Sequence, residues 1–250
     1  MKKYINWGII GLGNAAKAFS SGFNNLTNSK LLAVASKNEE KRLFFKEKFN
    51  LKKEYLYENY EDLINNKDLD IIYVALPHSM HKKWCLKLAN AKKNILVEKP
   101  AATSLEDISE IINSVKLNNV FLTEGISFRF HSFVNQILSA TKKFNINDIY
   151  SIESNFGNDA IGGKKIFGLR LKKPDIKKRL FNPNLAGGAI WDGGCYPLSL
   201  IRLIISNFNK KKFIKPKIKE IKKFIGTTGV DENSELVLEF GKISSIIKAS

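Results

Sequence analysis

The chain has 250 residues, with 41 Lys and Arg against 24 Asp and Glu, giving a formal net charge of +17. A hydrophobic content of 44% is that of a globular protein and excludes a disordered one. Two cysteines, Cys85 and Cys195, exclude a disulfide framework and point to a reducing, cytoplasmic compartment.

With roughly 150 residues per domain, the length suits one large domain or two modest ones. The longest apolar run, Ile71 to Leu76, falls far short of the ~18 residues a membrane helix needs. The stretch after Lys2 and Lys3 is broken by Gly8, Gly11 and Gly13, which fits a strand and turn rather than a signal peptide.

In chain order, Ile5–Ile10 reads as a strand, Ala15–Leu26 as a helix, Leu31–Ala35 as a strand and Glu39–Phe49 as a charged amphipathic helix. A helix over Tyr60–Asn65 leads to Ile71–Leu76, an all-apolar run of the kind a strand covered on both faces requires. Helix His81–Ala91, strand Asn94–Val97, helix Leu105–Lys116 and strand Val120–Thr123 follow, with Ser104 as an N-cap. This alternation predicts an α/β domain over residues 1–124, a parallel Rossmann sheet with helices on both faces. Over residues 125–250 the pattern changes to α+β. It has a helix at Phe133–Lys142, a strand at Ile149–Phe156, a basic loop at Gly157–Asn184 and a helix at Pro197–Ile205. Mainly antiparallel strands follow at Phe213–Ile225, Glu235–Phe240 and Ile243–Ala249.

Eight lysines (210, 211, 212, 215, 217, 219, 222 and 223) crowd one segment with a single acid, Glu220. Nucleic-acid binding is one reading of that run, and a lysine-protected edge strand is the other. The second is preferred, because no aromatic platform accompanies the lysines.

Gly11-Leu12-Gly13-Asn14-Ala15-Ala16 fits the dinucleotide pattern G-x-G-x-x-G/A between a strand and a helix. Gly11 permits the turn, Gly13 admits a pyrophosphate to the backbone, and the helix N-terminus at Asn14 and Ala15 attracts its charge. The next strand ends in Ser36-Lys37 where an NAD site places a carboxylate. A hydroxyl and an ammonium suit a 2′-phosphate, so NADP is expected and NAD is the alternative. Lys37 also reads as one more solvated lysine in a lysine-rich chain.

Leu76-Pro77-His78-Ser79-Met80-His81 follows the buried run at the carboxyl edge, where open α/β sheets bind ligands. His78 and His81 either cap the following helix or line the cofactor pocket. Their spacing offers no metal site. Glu98-Lys99-Pro100 occupies the same edge one strand on, which puts Lys99 near a bound nicotinamide. In Gly187-Gly188-Ala189-Ile190-Trp191-Asp192-Gly193-Gly194-Cys195-Tyr196-Pro197, Asp192 and Tyr196 share a face if the segment is helical. A tyrosine serves as acid or base once a nearby cation lowers its ordinary pKa of ~10.

In order and spacing these motifs, with Glu124-Gly125-Ile126-Ser127-Phe128-Arg129-Phe130-His131, resemble the Gfo/Idh/MocA oxidoreductase family over nearly the whole chain. Tyr196 stands where many sugar dehydrogenases of the family have His. That makes the chain most similar to the branch of dihydrodiol dehydrogenases and NADP-dependent D-xylose dehydrogenases.

The resemblance implies hydride transfer between a nicotinamide and a secondary or anomeric hydroxyl of a sugar, polyol or vicinal diol. It casts Lys99 as the catalytic lysine, Tyr196 as proton donor or acceptor, and Asp192 as its partner at the substrate hydroxyl. Arg129 joins Asp192 at the substrate, and Glu98, Leu76, Pro77, His78 and His81 stand along the cofactor. The Lys99-Pro100 bond is often cis in the family. Lys37 replaces the usual Arg and His78 the usual Asn.

Family members are longer, so the chain is expected to stop before the last strands of its second sheet. A homo-oligomer is expected where that sheet is complete. The competing readings are a dinucleotide-binding protein without turnover and a basic nucleic-acid binder.

Overall fold

Strands that are apolar at consecutive positions need cover on both faces, and the first unit of the computed structural model supplies it. The structure describes residues 4–162, 165–166, 169–170, 173–208 and 214–250. Lys2, Lys3 and the lysines at 210–212 therefore lie outside the described residues, as do parts of the 157–184 loop and Phe213. The chain divides into two compact units, Met1–Gly125 and Ile126–Ser250.

The first unit runs β1 (Ile5–Ile10), α1 (Asn14–Ser21), β2 (Ser29–Ala35), α2 (Glu39–Phe49), β3 (Leu56–Tyr57), α3 (Tyr60–Asn65), β4 (Ile71–Val74), α4 (His81–Asn90), β5 (Asn94–Val97), α5 (Leu105–Leu117) and β6 (Leu122–Glu124). Its six strands pair in the order β3-β2-β1-β4-β5-β6, all parallel, which is the Rossmann order. One face buries Ile72 and Val74 of β4 with Leu63 of α3, Leu88 of α4 and Ile111 of α5. The other buries Tyr73 of the same strand with Ala16 of α1 and Phe45 of α2.

The helix ends follow their capping chemistry. Asn38 accepts the Lys41 N–H at the start of α2, and Ser104 accepts the Asp107 N–H at the start of α5. Several boundaries differ from the sequence expectation by a few residues. The helix expected over Ala15–Leu26 tightens after Ser21 into a 3-10 turn, Gly22–Asn25. The run Ile71–Leu76 stops as a strand at Val74, and Pro77 then begins the turn into the 3-10 segment His78–Met80. The two-residue β3 has too little sequence to show a period, and none was expected there.

The second unit contains α6 (Ser132–Thr141), β7 (Ser151–Phe156), a short hairpin of β8 (Lys165–Ile166) and β9 (Leu169–Arg170), α7 (Ala189–Asp192), α8 (Cys195–Phe208), β10 (Lys217–Ile225), β11 (Asp231–Phe240) and β12 (Ile243–Ala249). Its sheet orders β10-β11-β12-β7. The first two pairings are antiparallel and that of β7 with β12 is parallel, so the sheet is mixed. Along β12 the period of two is strict. Ile243, Ser245, Ile247 and Ala249 are buried, and Ile243 and Ile247 pack on Ile201 and Ile205 of α8.

The described lysines of the basic run lie at one edge of this sheet. β10 is an edge strand exposed along its whole length, beginning just after Pro216. Its lysines meet acids: Lys219 Nζ lies 3.0 Å from Glu239 across the ladder, and Lys222 Nζ lies 3.1 Å from Glu220 of its own strand and 3.8 Å from Glu235 across the ladder. Lys248 of β12 continues the rung, 3.6 Å from Glu235 and 2.8 Å from Glu153 of β7. Alternating charge thus spans all four strands, and the described part of the basic cluster is a laced sheet edge.

Lys248 donates a hydrogen bond to Glu153 and adds its charge, and together these hold the Glu153 carboxyl below its ordinary range. A carboxyl held low when folded contributes stability above its unfolded value of about 4 and loses that contribution as the pH falls. Both side chains face solvent, so the effect is small. Glu153→Gln is expected to lower the melting temperature slightly at neutral pH and to match the wild type at about pH 3. Identical melting at both pH values would show that this rung contributes nothing.

Candidate functional site

The first unit gathers its motif residues where its strands end. β1 stops at Ile10, and Gly11 turns with φ +88°, a conformation L side chains rarely adopt. A Cβ at Gly11 would also collide with the Ala75 carbonyl oxygen of the neighbouring strand end, so the fold itself demands this glycine. Gly13 differs. Its φ is −91° and a Cβ there would meet nothing within 4 Å, so no packing explains it. It precedes α1, whose N-terminus has no side-chain cap and no acid in its first turn. Asn14 and Ala15 are exposed there, while Ala16 is fully buried and seats the helix on the sheet. Open space beside uncapped N–H groups is what a phosphate needs.

At the end of β2, Ser36 is buried and Lys37 is exposed. The Ser36 hydroxyl accepts the Asn38 N–H at 3.2 Å, which turns the side chain toward its own loop. The Arg42 guanidinium donates to the Ser36 carbonyl at 2.5 Å, bringing a second cation to this strand end. Arg42 was not singled out from sequence. It lies six residues past Ser36, and only the turn into α2 brings it back.

Past β4, Leu76 and His78 are buried and Pro77 is half-buried. His81 is fully buried, with ring nitrogens 2.8 Å from the Pro100 carbonyl and 2.9 Å from the Leu76 carbonyl. A side chain so enclosed neither lines a pocket nor caps α4, so both sequence readings of His81 are corrected: it joins two loops. Past β5, the Lys99-Pro100 bond is cis and Lys99 is half-buried. Glu98 accepts a hydrogen bond from the Tyr73 hydroxyl, which anchors the Glu-Lys-Pro turn to the sheet. Burial pushes the thiol of the other buried group here, Cys85, up to about 12, so it stays protonated.

In the second unit, Asp192 and Tyr196 do not share one helix. α7 ends at Asp192, Gly193-Gly194 intervenes, and α8 starts at Cys195. Asp192 is half-buried and its Oδ1 lies 2.5 Å from Arg179 Nη2. The Tyr196 ring lies against Phe156, centroids 4.6 Å apart, and Phe128 at 5.8 Å. Arg129 is exposed on the 3-10 turn Ser127–Phe130 beside Phe128. Asp231, at the start of β11, accepts the Ile190 N–H at 2.9 Å and the Ser234 hydroxyl at 2.7 Å.

Gly187 and Gly188 exist for this packing. A Cβ on Gly187 would strike the Leu180 and Arg179 carbonyls, and one on Gly188 would strike the Asp231 carboxylate. Arg179 and Asp231 were missed in the sequence because nothing local pairs them with Asp192 or Ile190. A cavity of about 1010 Å³ opens beside this segment, lined among others by Phe156, Asp159, Lys173, Phe181, Asp192 and Asp231. Among the described residues no cluster of three His, Cys, Asp or Glu is placed to hold a metal, and no helix is long and apolar enough to cross a membrane.

A profile described as an oxidoreductase family with an NAD-binding Rossmann fold, Gfo/Idh/MocA, matches residues 5–126. A trans-1,2-dihydrobenzene-1,2-diol dehydrogenase of Xenopus tropicalis is 30% identical over 247 residues, covering 98% of this chain and 68% of the relative. The chain belongs to the Gfo/Idh/MocA oxidoreductase family. A D-xylose 1-dehydrogenase (NADP(+)) of Hypocrea jecorina is 27% identical, covering 98% of this chain and 64% of its own length. This Gfo/Idh/MocA chain thus spans about two thirds of the length of these curated relatives. The structure of a 3-ketoreductase from Actinomadura kijaniata in complex with NADP and TDP-benzene superposes with a TM-score of 0.82 at 21% identity. It covers 98% of this chain and 69% of that one, a likeness of fold.

Gly188 has φ +116°, so Gly188→Ala combines a collision with backbone strain of about 1–3 kcal/mol. Thermal denaturation is expected to show a melting temperature several degrees below wild type. A Gly188→Ala chain as stable as wild type would contradict the packing described here.

Proposed function

We propose that this oxidoreductase uses NADP to move a hydride to or from the carbon of a secondary or anomeric hydroxyl in a sugar or vicinal diol. The observation that carries the reading is the turn at Gly13, where open space meets an uncapped helix N-terminus. The diol and xylose dehydrogenases among the relatives support the substrate class, and the xylose enzyme is named for NADP.

The residues present fit the cofactor. The first turn of α1, at Asn14 and Ala15, would hold the pyrophosphate, and Gly13 would let the backbone close on it. Lys37, with Arg42 behind it, would meet a 2′-phosphate that a carboxylate would repel. Leu76, Pro77, His78 and Glu98 stand at the same strand ends. When bound, NADP supplies or accepts the hydride.

The chain's own work is the proton. Oxidising an alcohol takes a hydride from carbon and a proton from oxygen, and reduction returns both. Tyr196 carries that proton, its ring steadied by Phe156 and Phe128. Lys99 supplies positive charge to the reacting oxygen, which favours the alkoxide and lowers the cost of proton transfer. Asp192, oriented by Arg179, holds a substrate hydroxyl, and the exposed Arg129 is its companion there. Two cysteines that form no disulfide, one of them buried, suit a reducing compartment such as the cytoplasm.

Titration of the purified chain is expected to show tighter binding of NADPH than of NADH. Gly13→Ala leaves its melting temperature unchanged, because its Cβ meets nothing, yet weakens nucleotide binding. Equal NADPH affinity in Gly13→Ala would remove the turn from the site. Turnover assayed by NADPH absorbance across aldoses and diols is expected to fall ~100-fold or more in Lys99→Ala and in Tyr196→Phe, with NADPH binding retained. Near-normal rates in both variants would overturn the assignment.

A further inference from the structure

We propose that His81 is a positioning residue for Lys99, an imidazolium whose two N–H groups bind the Pro100 and Leu76 carbonyls and fix the loop after β5 against the turn after β4. The role given to Lys99 rests on the function proposed above; the bridge itself does not.

The argument starts from donors and acceptors. His81 is fully buried, and its Nδ1 and Nε2 lie 2.8 and 2.9 Å from two carbonyl oxygens. Carbonyls only accept. A neutral imidazole has one N–H and one bare nitrogen, so it satisfies one of these oxygens and presents a lone pair to the other. An imidazolium donates to both, and charged donors make the stronger bonds.

Each of the two loops also loses a backbone donor to proline. Pro77 and Pro100 each remove a backbone N–H just where the sheet ladder ends, with Ala75 N–H bonded to Ile10 and Glu98 N–H to Val74. A side chain must therefore supply what the backbone does not.

The ionisable groups on the surrounding elements are compatible with a cation here. Cys85, one turn along α4, is a neutral thiol. The His78 ring lies edge-on at 5.7 Å. Lys82 is paired with Asp107 and Glu110 of α5 at 2.9 and 2.8 Å. His81 begins α4, where the helix dipole disfavours positive charge. Against that, two carboxylates are tied to the loop it holds: Glu98 next to Lys99, and Glu124, which accepts the Ala101 N–H at 2.8 Å. The result is one side chain that sets where the Lys99 backbone lies without touching substrate.

The wild-type chain, labelled with ¹⁵N in its histidine rings and ¹³C in its carbonyls, tests the bridge by NMR near neutral pH. With three histidines, His78→Gln and His131→Gln assign the signals. Both His81 ring nitrogens are expected to carry slowly exchanging protons, each coupled across a hydrogen bond to the Leu76 or Pro100 carbonyl. One bare nitrogen, or loss of either coupling, overturns the proposal.

Competitive acylation, read by peptide mass spectrometry against exposed Lys83, tests the effect on Lys99. In folded His81→Gln the Lys99 rate relative to Lys83 should change at least about threefold, the change that half a pKa unit produces. An unchanged ratio overturns the positioning role. If His81→Gln does not fold, the same ratio in His81→Asn decides it. Neither readout needs turnover, so failure here and failure of NADPH binding or catalysis are separate results.

Discussion

Gly11 and the Ala75 carbonyl lie so close that no side chain fits between them, and the first unit is organised around that contact. It marks the point where the sheet order reverses, with β2 on one side of β1 and β4 on the other. Helices leave the sheet on opposite faces there, and the gap between their starts is where such sheets bind ligands. The strand ends that carry Ser36, Leu76 and Lys99 are set by the pairing registers on either side of this contact. A larger residue at Gly11 would displace the edge proposed to meet the cofactor, not merely strain a turn.

Much of this was legible because it is local. The apolar run at Ile71–Leu76 announced burial on both faces, and Asn94–Val97 and Ile243–Ala249 matched the structure to the residue. Glycines at 11 and 13, and the ordered motifs up to Tyr196, pointed to the family that the 30% identical relative shows. What was not legible depends on residues far apart in sequence or on polar groups whose burial no pattern reveals. The parallel partner of β7, the Arg179 contact to Asp192 and the Asp231 cap over Ile190 all join segments with no local signature. His81 read equally as a helix cap or a pocket-lining histidine because a histidine beside a sheet edge gives no sign of which way its ring points. The break at Gly193-Gly194 likewise parted two residues whose four-residue spacing puts them on one face only if the segment is a single helix.

Charge shows the same division. An excess of lysine says little by itself, since the count is blind to what lies across a ladder. In the second unit Lys219 and Lys222 of β10 meet Glu220, Glu235 and Glu239, and Lys248 joins Glu235 to Glu153. A strand edge left bare of partners but lined with solvated charge resists pairing with foreign strands. The described part of the basic run thus serves the mechanics of the sheet edge.

The parallel pairing of β7 with β12 also bears on how the chain comes into being. Ser151 is matched to Ser244, so β7, at the sheet's edge, has no strand to pair with until some 93 residues later (244 − 151) have been made. The first unit closes over shorter spans, β1 finding β2 and then β4 within its first 74 residues. Since distant pairings form slowly and nascent chains fold from the N-terminus, the nucleotide-binding half can be complete while β7 still waits. During that interval an exposed strand carrying Ile152 and Phe156 is the part of the chain most in need of a chaperone.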